Sequence, residues 1–406
     1  VRAGAVALLA LLAASPARYL RTLAHDPGGY DPERAGGAPT DLLLGDLLFH
    51  SPGTLGPVAE REGISCDTCH PNGAANTTLM LPAGLSDRPG NVDLTTGHFR
   101  AGADNRIADF LNVPSLRGAR YTAPYGWDGR AASLGDFVAD VVSGEFGGAP
   151  LSAGERRALV AYVRDLDFLP NPNLDRRGRL TERASAAAHR GEVLFTATRP
   201  GLDGAACATC HPPSAFFRDG RVHRLGSGGV PPSPHAIEDG YETPTLLGLT
   251  ETAPYFHDGR HATLGDVVAW FDRDFALGLT TDERADLVAY LEAVGSCEGG
   301  PRERPRAQQM IDRFVYLALL VDGEWRDDRR VWALALAAAT VELARHPPAP
   351  APPVAARAAD ARARLARLAD RTRAGAPLEP LRPEAARLRK DLFRLAADWA
   401  GALDAN

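Results

Sequence analysis

Two pentapeptides carry the chemistry of this chain: Cys66-Asp67-Thr68-Cys69-His70 and Cys207-Ala208-Thr209-Cys210-His211. A Cys-x-x-Cys-His run is the attachment signature of a c-type haem. Its two thiols form thioethers with the porphyrin vinyl groups, and the adjoining imidazole ligates the iron from one face. A zinc site would want the two cysteine pairs close together and gives no reason for a histidine directly behind each. A thioredoxin-like redox pair does not need that histidine either. The expectation is two covalently bound haem c groups with His70 and His211 as proximal ligands. The fifth cysteine, Cys297, has no free thiol to pair with and receives no role.

The opposite face of each iron decides what the haem does. A strong sixth ligand favours electron transfer, whereas an open position permits peroxide or oxygen chemistry. In the first half, Met80 in Leu-Met-Leu-Pro and His98 in Thr-Thr-Gly-His-Phe-Arg are the candidate ligands. The bland alternatives are core packing for Met80 and an exposed loop for His98. In the second half, His223, His235, His257 and His261 are all available, too many to choose among. Arg130 and Arg260 close repeated Asp-Gly-Arg turns; each can hold a haem propionate through paired hydrogen bonds or form a salt bridge within its own turn. Just before these turns the copies diverge, Trp127 against His257. An indole at that point can relay electrons between haems or serve as plain core.

These residues are positioned by a duplication. Asn112–Val138 aligns without a gap on Glu242–Val268, superposing Pro114 on Pro244, the Thr-Ala-Pro-Tyr runs, the Asp-Gly-Arg turns and Leu-Gly-Asp. A Gly-x-x-Leu-Phe segment precedes each haem motif, at Gly45–Phe49 and Gly191–Phe195. A helical stretch ending in Leu-Val-Ala-Tyr closes each copy, with Ser152 and Thr281 as expected N-caps. Strand patterning is sparse. The expected fold is mostly α: two tandem cytochrome c-like haem domains over 18–175 and 176–300, then a helical extension over 301–406. Within the extension, helical periodicity covers about 307–321, 330–345, 354–373 and 383–403, with a stiff proline spacer at 346–353. No catalytic motif is visible there, so the extension is read as structural or as a docking element for a partner.

Composition sets the remaining bounds. The 406 residues are 45% hydrophobic and 24% charged with a formal net charge of −6, ordinary for a globular protein and no basis for a nucleic-acid partner. Lys390 is the sole lysine, so nearly all positive charge is guanidinium. At the start of the sequence Arg2, the apolar run Ala3–Ala14 and Ser15-Pro16-Ala17 read as a secretory signal peptide over 1–17, which implies a periplasmic protein. No segment is expected to span a membrane; Val331–Val341 fits a buried helix.

Taken together, the Gly-x-x-Leu-Phe segments, both haem motifs, Trp127-Asp-Gly-Arg-Ala and Thr-Ala-Pro-Tyr-Phe-His257-Asp-Gly-Arg resemble the bacterial di-haem cytochrome c peroxidase and MauG family over about residues 40–295. The resemblance implies one electron-transfer haem and one peroxide-reactive haem with Trp127 between them. It also implies a calcium ion between the domains, a small redox protein as electron donor, and hydrogen peroxide or a small or protein substrate. Glu145 is the match to the family's pocket glutamate, a carboxylate able to shuttle the peroxide proton. The chain departs from the family at Phe137, where a pocket glutamine is usual, and at Phe271, where a Met or Tyr ligates the second iron. Phenylalanine cannot ligate iron. The expectation is therefore an open second haem and a first haem held by His98 or Met80. The rival readings are a non-enzymatic electron carrier and a di-haem oxygenase acting on an apolar substrate.

Overall fold

The computed structural model describes residues 39–82, 84–104, 106–224, 240–297, 318, 321, 328–345 and 352–403. The expected leader at 1–17 and His235 lie outside them. In chain order the helices are α1 Pro39–His50, α2 Pro57–Glu62, α3 Cys66–Cys69, α4 Leu134–Asp140, α5 Ala153–Asp165, α6 Ala186–Thr196, α7 Cys207–Cys210 and α8 Leu264–Asp274. They continue with α9 Thr281–Gly295, α10 Arg329–Arg345, α11 Pro352–Arg373 and α12 Arg382–Leu403. Four two-residue strands, β1 Asn91–Val92, β2 Leu111–Asn112, β3 Val222–His223 and β4 Tyr241–Glu242, form two antiparallel ladders. The mostly α expectation holds among the described residues.

Two compact units divide the chain, one comprising 54–151 and 166–300, the other 1–53, 152–165 and 301–406. The first unit contains both Cys-x-x-Cys-His runs. One apolar cluster, including Leu79, Leu85, Val92, Val113 and Phe146, lies beside the first motif; another, including Phe195, Leu246, Val268, Leu287 and Tyr290, lies beside the second. The repeated Leu-Gly-Asp segments begin α4 and α8. Ser133 and Thr263 accept from the Asp136 and Asp266 backbone N–H, each at 3.1 Å, satisfying amides that a helix start leaves open. The N-cap of α9 is Thr280, one residue before the expected Thr281, because its hydroxyl meets the Glu283 N–H and Glu283 returns the bond.

The Gly-x-x-Leu-Phe segments are explained by helix crossings. Within the first unit, α6 crosses α9 so closely that a Cβ at Gly191 would lie 2.1 Å from the Asp286 carbonyl oxygen. Phe195 then packs on Tyr290 with ring centroids 4.9 Å apart. The second unit repeats this crossing with α1 and α5: a Cβ at Gly45 would lie 2.1 Å from the Ala158 carbonyl oxygen, and Phe49 meets Tyr162 at 5.0 Å.

The second unit also holds the C-terminal helices. Val354, Ala358, Ala361, Leu365, Leu368 and Thr372 on α11, and Leu381, Ala385, Leu388, Leu392 and Leu395 at the start of and along α12, are buried at alternating four- and three-residue spacing. That is a heptad seam. Arg357, Arg364 and Arg371 meet Asp398, Asp391 and Glu384 at 2.7, 2.7 and 3.1 Å along it. The seam runs antiparallel, and α10 adds Trp332, Leu336, Ala339 and Leu343 to the same core.

Candidate functional site

Each haem motif forms a one-turn helix. In both copies the threonine before the second cysteine caps it, accepting the Ser65 N–H at Thr68 Oγ1 and the Ala206 N–H at Thr209 Oγ1, each at 3.0 Å. The turn places both thiols of a motif on one side. Burial pushes Cys66 and Cys69 up to about 12, and raises Cys207 and Cys210 as well. All four are therefore thiols at neutral pH.

His70 Nδ1 lies 3.0 Å from the Pro114 carbonyl oxygen, and His211 Nδ1 lies 2.8 Å from that of Phe217. A carbonyl can only accept, so each Nδ1 carries the proton and each Nε2 keeps its lone pair. This is the arrangement of a metal-ligating imidazole held by an outer partner. Burial also lowers His70 to about 4 and lowers His211, which keeps both rings neutral. The residues present therefore fit a haem at each motif: two thiols, one oriented Nε2 and an adjoining apolar cluster.

Glu145 ends a five-residue π-helical turn, Val141–Glu145, that follows α4. Its Oε1 accepts from Arg130 Nη2 at 2.7 Å. Arg130 also contacts Asp128 at 3.3 Å and Asp140 at 3.5 Å, and its guanidinium lies 5.2 Å from the Phe137 ring centroid. Arg260 turns back on Asp258, with Nε 2.9 Å from either carboxylate oxygen. In this structure both guanidinium groups engage carboxylates of their own neighbourhood, where a propionate was the other expectation.

The two distal candidates of the first half are not brought to Glu145. His98 Nε2 sits 2.8 Å from Glu62 Oε1, and Met80 is 54% exposed. The Thr-Thr-Gly-His-Phe-Arg segment serves the π turn through its other residues. Phe99 packs on Phe146 at 4.6 Å, and Arg100 Nη1 donates to the Gly144 carbonyl at 2.8 Å. Phe99 and Arg100 belong to no repeated or ligating motif, so no sequence signal marks this role. In the second half α8 stays α-helical through Asp274, and Phe271 packs among Phe256, Trp270 and Phe275 at 6.1, 4.9 and 5.7 Å.

The Trp127 indole Nε1 donates to the Asn112 carbonyl at 3.0 Å. The halves then exchange a matched pair of backbone bonds: Asn112 N–H to the His257 carbonyl at 2.7 Å, and Glu242 N–H to the Trp127 carbonyl at 2.9 Å. Cys297 Sγ donates to Glu251 Oε1 at 2.8 Å, and burial with that carboxylate pushes it up to about 11, so it is a protonated thiol.

No family model matches the chain. It is 28% identical over 285 residues to hydrazine synthase subunit gamma of Kuenenia stuttgartiensis, covering 58% of this chain and 73% of the relative. It is 28% identical over 309 residues to methylamine utilization protein MauG of Methylorubrum extorquens, covering 63% and 78%. It is 24% identical over 340 residues to cytochrome-c peroxidase IdrP2 of Denitromonas iodatirespirans, covering 65% and 83%. These relatives support a likeness to the di-haem cytochrome c peroxidase and MauG family. The chain is accordingly a di-haem oxidoreductase. No described helix is long and apolar enough to cross a membrane.

Proposed function

We propose that the protein is a periplasmic, di-haem c-type peroxidase that reduces hydrogen peroxide with electrons from a small redox protein. Its reactive centre is the first haem rather than the second that Phe271 suggested, because His98 engages Glu62, Met80 is exposed, and Val142 and Phe146 of the Glu145 segment join the apolar cluster of the first motif. The carrying observation is the Glu145–Arg130 pair at 2.7 Å on a π turn, since such turns recur at functional sites. Haem, when bound covalently through Cys66 and Cys69 and through Cys207 and Cys210, supplies the iron that exchanges electrons. His70 and His211 present Nε2 to it. Glu145, a carboxylate fixed by Arg130, takes a proton from the incoming hydrogen peroxide and returns it to the departing oxygen. Phe137 supplies an apolar wall where water would compete, and Trp127 lies on the path between the halves.

A calcium ion takes six to eight oxygens. Around Asn112 the described residues bring its own amide and the carbonyls of Pro254 and Phe256. Asn112 Nδ2 already donates to both, at 2.5 and 3.3 Å. These three groups fall short of the oxygens that the ion takes.

The test is low-temperature EPR of the ferric holoprotein before and after peroxide. A high-spin signal consumed by peroxide in the native protein, and persisting in E145Q, supports the reading. Two low-spin signals indifferent to peroxide, in both the oxidised and half-reduced protein, would make the chain an electron carrier.

A further inference from the structure

Tyr241 stands against a histidine of the same half. Its hydroxyl lies 3.1 Å from His257 Nε2, and the two rings stack with centroids 4.0 Å apart at 16°. Both side chains are half-buried. The two residues are also tied into the tryptophan's own hydrogen bonds. Trp127 Nε1 donates to the Asn112 carbonyl, and the Asn112 N–H donates to the His257 carbonyl. His257 then meets Tyr241. One continuous path therefore joins the indole of the first half to a phenol of the second.

What separates this tyrosine from its neighbours is the partner of its hydroxyl. Tyr125 and Tyr255, which occupy matching repeat positions, donate to the Ala119 and Leu249 carbonyls at 3.0 and 3.2 Å. A carbonyl accepts a hydrogen bond but cannot take the proton. An imidazole can. A phenol that loses an electron becomes a strong acid, so oxidation is feasible where a base stands ready at hydrogen-bond distance. The charges felt by both rings come from Asp258 and Arg260, which are paired with each other at 2.9 Å. Burial lowers His257 to about 4 and raises Tyr241, so near neutral pH the imidazole is an unprotonated acceptor and the phenol keeps its proton.

We infer that Tyr241 and His257 form a proton-coupled redox pair serving the di-haem centre. The inference rests on the peroxidase reading for its oxidant. Peroxide takes two electrons and two protons to give two waters. Tyr241 supplies one electron to the peroxide-oxidised haem pair. Its O–H bond breaks, the proton passes to His257 Nε2, and a neutral tyrosyl radical remains beside an imidazolium. Return of one electron from the donor protein reverses both transfers. Such a pair holds an oxidising equivalent away from the iron, and the single positive charge that the site gains sits on the imidazolium, which interacts with the Asp258 carboxylate.

The experiment is freeze-quench EPR of the holoprotein treated with hydrogen peroxide, compared with Y241F and H257Q. Glutamine accepts a hydrogen bond but cannot take a proton. A tyrosyl radical present in the native protein and lost in both variants, with the haem absorption of each variant intact, is the expected result. A radical unchanged in Y241F, or retained in H257Q, overturns the pair while leaving the peroxidase reading in place. Haem spectra that ignore peroxide defeat the peroxidase reading instead. In that event the same three proteins are oxidised by flash photolysis with a ruthenium polypyridyl complex and persulfate. A radical lost in Y241F and H257Q then upholds the pair, and one unchanged in either overturns it.

Discussion

Glu145 is the carboxylate that the proposed peroxide chemistry turns on, at the end of the π turn whose Val142 joins the first motif's apolar cluster. If Glu145 handles the peroxide proton, E145Q lowers steady-state peroxide turnover by about 10²–10⁴-fold, the usual contribution of a positioned acid–base group. Haem content, measured by pyridine haemochrome, should stay at the native level because E145Q leaves both Cys-x-x-Cys-His runs unchanged. The histidines make a second prediction, for the haem-free chain. Burial holds His70 and His257 near 4, below the ordinary 6.5. Between those values the unfolded chain binds protons that the fold refuses, so stability falls as pH drops from about 6.5 toward 4. Urea midpoints across that window should decline on acidification, and the His70 share should vanish in holoprotein, whose iron occupies Nε2. The two Cys-x-x-Cys-His runs and the repeat that aligns Trp127 with His257 are legible in the sequence because their spacing is itself the signal. The sequence did not show that His98 would pair with Glu62, since an ion pair between residues so far apart leaves no periodic trace.

Among the elements, helix crossings and the heptad seam make opposite demands. At Gly191 the backbone of α9 is the obstacle, so a methyl group cannot be absorbed by a side-chain shift. Gly191→Ala should cost about 1–3 kcal/mol, the range for overpacking, read as a lower denaturation midpoint of the holoprotein. Along the α11–α12 seam the apolar residues dominate. Leu388→Ala should cost about 2–5 kcal/mol, because Leu388 is fully buried. Arg364→Ala should cost only about 0.2–1 kcal/mol, since ion pairs that are still partly solvated contribute little. Calorimetry of the two variants would separate these terms, and equal losses would contradict the ranking. The existence of α11 and α12 was readable from Arg-Ala-Leu periodicity. The π turn was not: a single residue's widening of a helix has no compositional mark, and Val141–Glu145 reads as an ordinary amphipathic end.

For the molecule as a whole, the duplication was plain in the sequence, but the grouping of its parts was not. The helix α5, which closes the first repeat in sequence, shares its compact unit with α1 and the C-terminal helices. There Arg330 of α10 stands 3.4 Å from the buried Glu155 of α5. Contacts of this kind depend on side chains far apart in the chain, which no local pattern announces. The matched backbone bonds between the halves, Asn112 to His257 and Glu242 to Trp127, carry a consequence for descent and assembly. Each half offers one donor at the end of its second strand and one acceptor just before its Asp-Gly-Arg turn. A surface with one of each is complementary to itself under a two-fold rotation, the geometry of an isologous dimer. The first repeat produced alone, with its haem, should therefore sediment as a symmetric pair, and changing Asn112 to proline, which removes the donor, should return it to a monomer. The present chain would then be a two-fold dimer fused into one polypeptide, and that fusion is what allowed Trp127 and His257, once the same position in identical partners, to become different.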